Sequence, residues 1–281
     1  MRLADLLARF DLECVAVDHF RAAPVGDSSL VASQAAVAAA RTVAAAGGTR
    51  PRLHMHSMHV HHLQAIASDL PTDYEVLRLK ATENFHARQI LVRQGERNVM
   101  SVQASFSAEW QGFAHTDSAP EVAQPEDLAA NSIRGRWGAP SPIDVRECTA
   151  YSERALHETQ RCLWLRANSP LPDNPLVHLG LLVFASSFGV LAAALLRHPE
   201  LYPHRDHGRS LDHAIWFHGP ARVADWVLVE HRAPVAYGGR ALVATAMYRR
   251  DGPRILSATQ EVFLPCSARH CYGHQAHKAM R

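Results

Sequence analysis

The sequence is low in charge and has no paired cysteines. Its five cysteines form no CxxC pair, which argues against a disulfide framework or a cysteine zinc site. The 29 Lys and Arg residues nearly balance the 27 Asp and Glu residues, and no dense basic stripe points to nucleic acid as the main partner. The segment from Met1 to Leu12 predicts an amphipathic helix and not a signal peptide. We therefore expect a cytoplasmic globular protein.

One apolar run tests this expectation. Leu179–Leu196 holds 18 residues without a formal charge, which is the lower limit for a membrane span. The run contains Gly180, Ser186 and Gly189, and no second run accompanies it. We interpret it as a buried core helix and expect no membrane partner.

Two helical segments dominate the periodicity. The first covers about Ser28–Ala46, with Asp27 or Ser28 as its cap, and the second covers about Pro175–Arg197, with Asn174 as its cap. Ala and Leu occupy most of the circumference of both, so each helix must be wrapped by other elements. Their starts lie half a chain length apart.

Several landmarks after each helix repeat at one spacing. Five pairs are separated by 157 positions: His56/His213, His61/His218, Gly95/Gly252, Gln103/Gln260 and Phe106/Phe263. A shared offset of this kind predicts two copies of one fold unit. We divide the chain into an N-terminal unit (1–113), a polar, proline-rich linker (114–145), a C-terminal unit (146–265) and a flexible tail (266–281).

Strand patterns follow the helix in each unit. In the second unit they cover about 211–218, 225–233, 239–249 and 254–264, with turns at Gly238-Gly239 and Asp251-Gly252. A long apolar helix followed by an antiparallel meander is an α+β unit whose sheet can curl around the helix.

The motifs resemble those of acyl-CoA thioesterase II. The C-terminal half carries SLDHAIWFH at 210–218, DWVL at 225–228, Gly239-Arg240 and TQE at 259–261. The N-terminal half matches more weakly, through HSMH at 56–59, NFHAR at 84–88 and ASF at 104–106, and WLRA at 164–167 precedes the second helix. The resemblance implies a double hotdog fold: two tandem units, each a long central helix wrapped by a curved antiparallel sheet.

The same resemblance implies hydrolysis of an acyl-CoA or acyl-carrier-protein thioester by an activated water. Asp212 takes the position of the family's aspartate and Gln260 that of its glutamine, while Gln34 matches a glutamine that lines the site. The resemblance implies no metal or cofactor, but it does imply pairing into a homo-oligomer. The structural alternatives are a paired carboxylate at Asp212, a core amide at Gln260, and a Gln34 that bonds a loop carbonyl.

The match breaks at the family's catalytic hydroxyl. That position falls on Pro234, preceded by Ala233, and neither side chain can form a hydrogen bond. Ser187 stands where the family has an aspartate, and Ser187 or Tyr237 could supply a substitute hydroxyl.

The missing hydroxyl at Pro234 motivates two alternatives to hydrolysis. One is a repurposed enzyme that catalyses dehydration, isomerisation, cyclisation or acyl transfer on a thioester or polyketide-like substrate. The other is a non-catalytic acyl-binding protein.

Histidine is abundant, with 19 residues. Simple alternation places His54, His56, Met58, Val60 and His62 on one face of a strand and His59 and His61 on the other. Zinc needs three or four converging ligands, so we interpret most of these histidines as structural. His56, His59 or His61 could instead act as acid/base groups, and the tail histidines His270, His274 and His277 are expected at a mobile surface end.

Overall fold

A computed structural model describes residues 2–44, 53–109, 112–129, 142–148, 160–201, 208–219, 222–223 and 225–264. The predicted tail at 266–281 and part of the predicted linker lie outside these residues.

The described residues of the first half form two α-helices and six strands: α1 (Leu3–Ala8), β1 (Glu13–Ala16), β2 (His19–Ala22), α2 (Ser28–Ala44), β3 (His54–His62), β4 (Thr72–Ala81), β5 (Phe85–Gln94) and β6 (Arg97–Ser107). A single 3-10 turn follows at Pro125–Asp127. The second half adds β7 (Ile143–Glu147), β8 (Gln160–Ala167), α3 (Pro175–Ser186), α4 (Val190–Ala194), β9 (Arg209–Ser210), β10 (Asp212–Phe217), β11 (Val227–Tyr237), β12 (Arg240–Arg249) and β13 (Arg254–Phe263). The four strands predicted for the second unit are confirmed as β10 to β13. The predicted caps also form, because side-chain oxygens of Asp27 and Asn174 accept hydrogen bonds from the first turns of α2 and α3.

All described strands join one antiparallel sheet. Its order is β1-β2-β4-β5-β6-β3-β10-β13-β12-β11-β8-β7, with the short β9 beside β13. Within each half the two strands before the long helix lie at one end, and the first long strand after the helix, β3 or β10, lies at the other. The halves meet where β3 pairs with β10, with Asp212 opposite His61. The duplicated topology agrees with the repeat predicted from the sequence.

The long helices form the centre of the core. Every residue from Leu30 to Ala40 of α2 is buried, and α2 packs against α3 and the inner face of the first half-sheet. The small Ala side chains allow this close approach, since they add little width to the helix. One hydrophobic cluster runs through both halves.

The second predicted helix is interrupted, which corrects its predicted extent of Pro175–Arg197. α3 ends at Ser186, and α4 begins after Gly189, whose φ is +85°. Taken together, Pro175–Ala194 is long and apolar enough to cross a membrane by length and composition, but 61% of its most apolar window is buried inside the fold.

The break depends on a glycine. A Cβ atom at Gly189 would lie 2.3 Å from Nη1 of Arg161, the atom that donates a hydrogen bond to the Gly189 carbonyl at 3.2 Å. Arg161 is also tied to Glu147 by an ion pair, so the guanidinium is not free to swing away. Burial raises the pKa of Glu147 even though the guanidinium opposes this shift.

We expect Gly189→Ala to destabilise the protein. The left-handed backbone costs an alanine about 1–2 kcal/mol, and displacing Arg161 adds to that cost. Urea unfolding of the variant measures the sum. Gly252→Ala, at another positive φ but with open space around the added Cβ, is the matched control and should lose less. Equal losses in the two variants would contradict a specific role for the Arg161 contact.

The offset of 157 holds at the turn glycines but not along the strands that follow. Gly95 and Gly252 both have positive φ in the hairpins β5–β6 and β12–β13. Bulges follow at Val99 and at Ile255, and the first of these lies one residue further from its glycine. Beyond the bulges, the structural offset is therefore one residue shorter.

This shift overturns the predicted equivalence of Gln103 and Gln260. Gln103 is exposed on the outer face, whereas Gln260 is buried on the inner face with 3% of its surface exposed. The structural counterpart of Gln260 is the buried Ala104. Gln260 is thus a polar residue in a position that is apolar in the first half.

A bulge also corrects the predicted faces of the histidine strand. In β3, His56 is left unpaired between Met55↔Phe106 and Ser57↔Ser105. Met55 and Met58 are both buried in the core although they have opposite parity. His54 and His56 therefore do not share one regular face with Met58, and only the alternation from Met58 onward follows the prediction.

The described part of the predicted linker is packed and not merely a spacer. Ala119, Val122 and Leu128 contact a cluster on the outer face of the second half-sheet, and Trp164 Nε1 donates to the Ala123 carbonyl at 3.0 Å. The strand β7 begins at Ile143, within the predicted linker range.

Candidate active site

The central feature of the site is the side chain of Gln260 in β13. Its Nε2 donates a hydrogen bond to the Ser210 hydroxyl. Its Oε1 is buried and has no hydrogen-bond partner among the described residues. A buried acceptor without a partner costs free energy, and a bound water or ligand is the usual explanation.

Asp212 lies beside this amide, where the strand pairing is irregular. Ser210 pairs with Val262 in β9, but Ala214 pairs with Thr259 in β10, so the register shifts by one residue between them. At this register shift the Asp212 carboxylate bonds to β13 in place of regular backbone pairing: its Oδ1 accepts a hydrogen bond from the Glu261 backbone N–H at 3.1 Å. Its second oxygen has no hydrogen bond or ion pair within the described ranges, and the side chain is half-buried.

Side chains alternate along β10. Asp212, Ala214 and Trp216 face outward, while His213, Ile215 and Phe217 are buried. Asp212 therefore lies outside the core, at the junction with β9 where the pairing opens.

Ser187 reaches the same region through His213. The buried imidazole lies between two hydroxyls, with Nδ1 at 3.4 Å from Ser187 Oγ and Nε2 at 3.4 Å from Ser186 Oγ. Ser186 also donates to the Val183 carbonyl at 2.8 Å. Burial, with smaller effects from His62 and His231, lowers the pKa of His213 to about 3. The ring is therefore neutral at physiological pH.

Two more histidines, the half-buried His62 and the buried His231, complete this polar region, and sequence reasoning assigned neither to the site. His62 reaches it from β3, since its backbone N–H bonds the Leu211 carbonyl at 2.9 Å. Burial lowers the pKa of His62 to about 4, although the charge of Asp212 opposes the shift.

Both ring nitrogens of His231, in β11, form hydrogen bonds. Nδ1 contacts the Thr245 hydroxyl at 2.9 Å, and Nε2 contacts the Phe188 carbonyl, at the break between α3 and α4, at 2.8 Å. Burial lowers its pKa to about 3. The neutral ring thus donates to the carbonyl and accepts from the hydroxyl. Nothing in the sequence around His231 distinguishes it from the alternating strand pattern.

The two predicted substitute hydroxyls lie in different places. Ser187 is at the helix break, in contact with His213, whereas Tyr237 is 83% exposed at the end of β11. Pro234 is also exposed, in a bulge where Ala233 and Pro234 lie opposite the single Val243. Of the two, the structure brings only Ser187 toward Asp212 and Gln260.

The predicted auxiliary histidines do not reach this cluster. The His56 ring packs 5.8 Å from the Phe85 ring, and the exposed His59 makes an edge contact with Trp216 at 5.4 Å between ring centroids. Both contacts are structural, in agreement with the interpretation of most histidines as architecture. In the part of the chain that the structure describes, no group of three or more His, Cys, Asp or Glu residues is arranged to hold a metal ion.

Gln34 is fully engaged in hydrogen bonds of the first half. Its Nε2 donates to the Arg9 carbonyl at 2.7 Å, and its Oε1 accepts from the Tyr74 hydroxyl at 2.6 Å. The structural alternative, a glutamine bonded to a loop carbonyl, describes these contacts.

We expect Gln34→Ala to lower the free energy of unfolding by about 1–3 kcal/mol, because the Tyr74 hydroxyl and the Arg9 carbonyl lose their hydrogen-bond partner. Urea denaturation measures this loss. Tyr74→Phe, which removes the hydroxyl along with its need for a partner, should cost less. Unchanged stability in Gln34→Ala would contradict the structural role.

Known proteins resemble this chain across both of its halves. A family model described as Acyl-CoA thioesterase N-terminal domain matches residues 28–107, and one described as Acyl-CoA thioesterase matches residues 144–263. Human acyl-coenzyme A thioesterase 8 is 29% identical over 258 residues, which cover 82% of this chain and 77% of the human protein.

Solved structures extend the comparison to the fold. Acyl-CoA thioesterase II TesB2 from Mycobacterium marinum superposes with a TM-score of 0.79 at 28% identity, over 95% of this chain and 100% of the other. A protein of unknown function with a hotdog fold from Alicyclobacillus acidocaldarius, at 16% identity, gives a TM-score of 0.71 over 94% of this chain and 98% of that one. Because both halves of the chain match, it belongs to the TesB-like acyl-CoA thioesterase II family of hotdog-fold enzymes.

Proposed function

We propose that this protein hydrolyses acyl-CoA thioesters with a water molecule activated by Asp212 and oriented by Gln260, in a double hotdog fold. The family matches support thioester hydrolysis as the reaction class. The observation that carries the mechanism is the buried Gln260 Oε1, which lacks a partner among the described residues and lies beside the strand segment that bears Asp212.

The chemistry requires no covalent intermediate. A water donates one hydrogen bond to Gln260 Oε1 and its other proton to the free oxygen of Asp212. The water oxygen bonds to the thioester carbonyl carbon, and the C–S bond of the resulting tetrahedral species then breaks. The proton held by Asp212 passes to the departing thiolate, so the products are a carboxylic acid and a free thiol.

The neutral state of three nearby histidines is compatible with the proposed role of Asp212 as the base. Since His62, His213 and His231 carry no charge at physiological pH, they place no positive charge beside the carboxylate. Ser187, in contact with His213, is the predicted hydroxyl that lies nearest to this arrangement.

Thiol release from a panel of acyl-CoA substrates tests the proposal. Short, medium and long chains should be compared, since the sequence does not fix the acyl length, and an acyl-carrier-protein thioester tests the second carrier. We expect thiol release with at least one chain length. No release from any of them, with an active family member as positive control, would contradict hydrolysis.

The two alternative functions predict different products. A repurposed enzyme would leave the acyl chain rearranged or transferred, and a binding protein would return the thioester intact. Mass spectrometry of the reaction mixture separates these outcomes from hydrolysis. No contact in the described structure favours either alternative over hydrolysis.

A further inference from the structure

The short strand β9 places Ser210 next to the Gln260 amide. β9 consists of Arg209 and Ser210 alone, and Ser210 pairs with Val262 of β13. Gln260 lies two residues before Val262 on the same face, so it is the diagonal neighbour of Ser210 across the strand pair. This neighbour is within side-chain reach, and Gln260 Nε2 donates to the Ser210 hydroxyl.

The contact determines which end of the amide is free. Because Nε2 is directed at Ser210, Oε1 is the atom that remains without a partner among the described residues. Only 3% of the Gln260 surface is exposed, so bulk solvent does not satisfy this oxygen. An oxygen in this orientation can accept a hydrogen bond from water, which an amide nitrogen cannot do.

The two residues that follow Ser210 are also anchored to β13. Leu211 N–H bonds the Glu261 carbonyl at 2.9 Å, and Asp212 Oδ1 accepts from Glu261 N–H at 3.1 Å. Ser210 and Asp212 thus hold adjacent residues of one strand, the first through the Gln260 side chain and the second through the Glu261 backbone. A change at Ser210 therefore alters the amide without releasing the carboxylate.

We propose that Ser210 is a positioning residue of this site: its hydroxyl holds the Gln260 amide with Oε1 toward the attacking water. This role rests on the proposed hydrolysis. It assigns a function to a hydroxyl that the sequence places directly before the Leu211-Asp212 pair, on β9 and not on β11, where Pro234 stands.

Kinetics of Ser210 and Gln260 variants test the role. Ser210→Ala should lower kcat for thioester hydrolysis by about 10- to 100-fold with little change in KM, since misplacing a catalytic group by about 1 Å costs that much. Ser210→Thr keeps the hydroxyl and should recover most of the lost rate. Gln260→Ala should show a similar loss, and the double variant should be no slower than Gln260→Ala, because the two residues act as one unit.

Ser257→Ala is the matched control. Ser257 is on the same strand as Gln260, and its hydroxyl contacts His218 Nε2 at 2.6 Å on the exposed side. Its removal should leave kcat unchanged.

The outcomes separate the two claims. A wild-type protein that hydrolyses no thioester overturns the proposed function. An active wild type with an unaffected Ser210→Ala variant, or with losses that multiply in the double variant, overturns the role of Ser210 alone.

Discussion

Asp212→Asn is expected to lower kcat/KM for thiol release by about 100- to 10,000-fold, which is the usual contribution of a positioned general base. The amide cannot take a proton from water at neutral pH, so the activating step is lost. The substitution is otherwise conservative, since the asparagine oxygen can still accept the hydrogen bond from Glu261 N–H that holds the strand junction together. The measurement is steady-state thiol release at a saturating and a limiting acyl-CoA concentration.

The isosteric change makes the result interpretable. The unfolding midpoint and the circular dichroism spectrum of Asp212→Asn should match those of the wild type. Asp225→Asn, an exposed carboxylate outside the site whose ion-pair contact with Arg250 is 3.9 Å long, controls for loss of a negative charge and should retain full activity. A fully active Asp212→Asn protein would show that the carboxylate only holds the strand junction.

The fold is expected to lose stability steeply as the pH falls below about 6.5. Three histidines are neutral, because burial lowers the pKa to about 4 for the half-buried His62 and to about 3 for the buried His213 and His231. In the unfolded chain each regains a pKa of about 6.5, so the unfolded state binds more protons. The stability contributed by the neutral rings is complete above that pH and is lost progressively toward the folded-state values.

The expected slope is about 1.4 kcal/mol per pH unit for each histidine. Between pH 6.5 and 5 the three together remove several kcal/mol, a large part of the stability of a typical domain. Glu147 acts in the opposite direction, because burial raises its pKa, whereas His56, His178 and His218, whose pKa burial also lowers, add to the loss. Urea unfolding at pH 7.5, 6.5, 5.5 and 5.0 measures the slope.

His231→Gln is the matched variant for this experiment. Glutamine can donate to the Phe188 carbonyl and accept from Thr245, as the neutral histidine does, but it does not titrate. The pH slope should therefore fall by the contribution of one histidine, about 1.4 kcal/mol per pH unit. A free energy of unfolding that stays constant from pH 7.5 to 5 in the wild type would contradict the neutral burial of these rings.

Features set by local chemistry could be predicted from the sequence. The caps at Asp27 and Asn174, the turn glycines and the four strands of the second half each depend on a few neighbouring residues. The repeat of the whole topology could also be predicted, because two copies of the same pattern reinforce one another.

Features that depend on single-residue shifts in strand pairing could not be predicted from the sequence. The bulges at His56, Val99 and Ile255 change which face a side chain takes, and alternation alone gives no sign of them. The bulge at His56 explains why alternation places His54 and His56 on the wrong face. Gln103 looks equivalent to Gln260 because the two hairpins correspond at an offset of 156, as their bulges at Val99 and Ile255 show, and not at 157. The contact of Gly189 with Arg161 at the helix break also joins residues that are distant in sequence.

The family resemblance predicts Asp212 and Gln260 as site residues, but it does not predict the histidines around them. His62 and His231 come from strands distant in sequence, and their contribution depends on the β3–β10 junction and on the helix break.

Product analysis of the intact protein with a single acyl-CoA tests the central claim most directly. Free thiol and free carboxylic acid should be quantified together, with intact-mass spectrometry of the protein during turnover. Hydrolysis by an activated water predicts thiol and acid in equal amounts and no acyl adduct on the chain. Unchanged acyl-CoA at every chain length, or thiol released without an equal amount of acid, would contradict it.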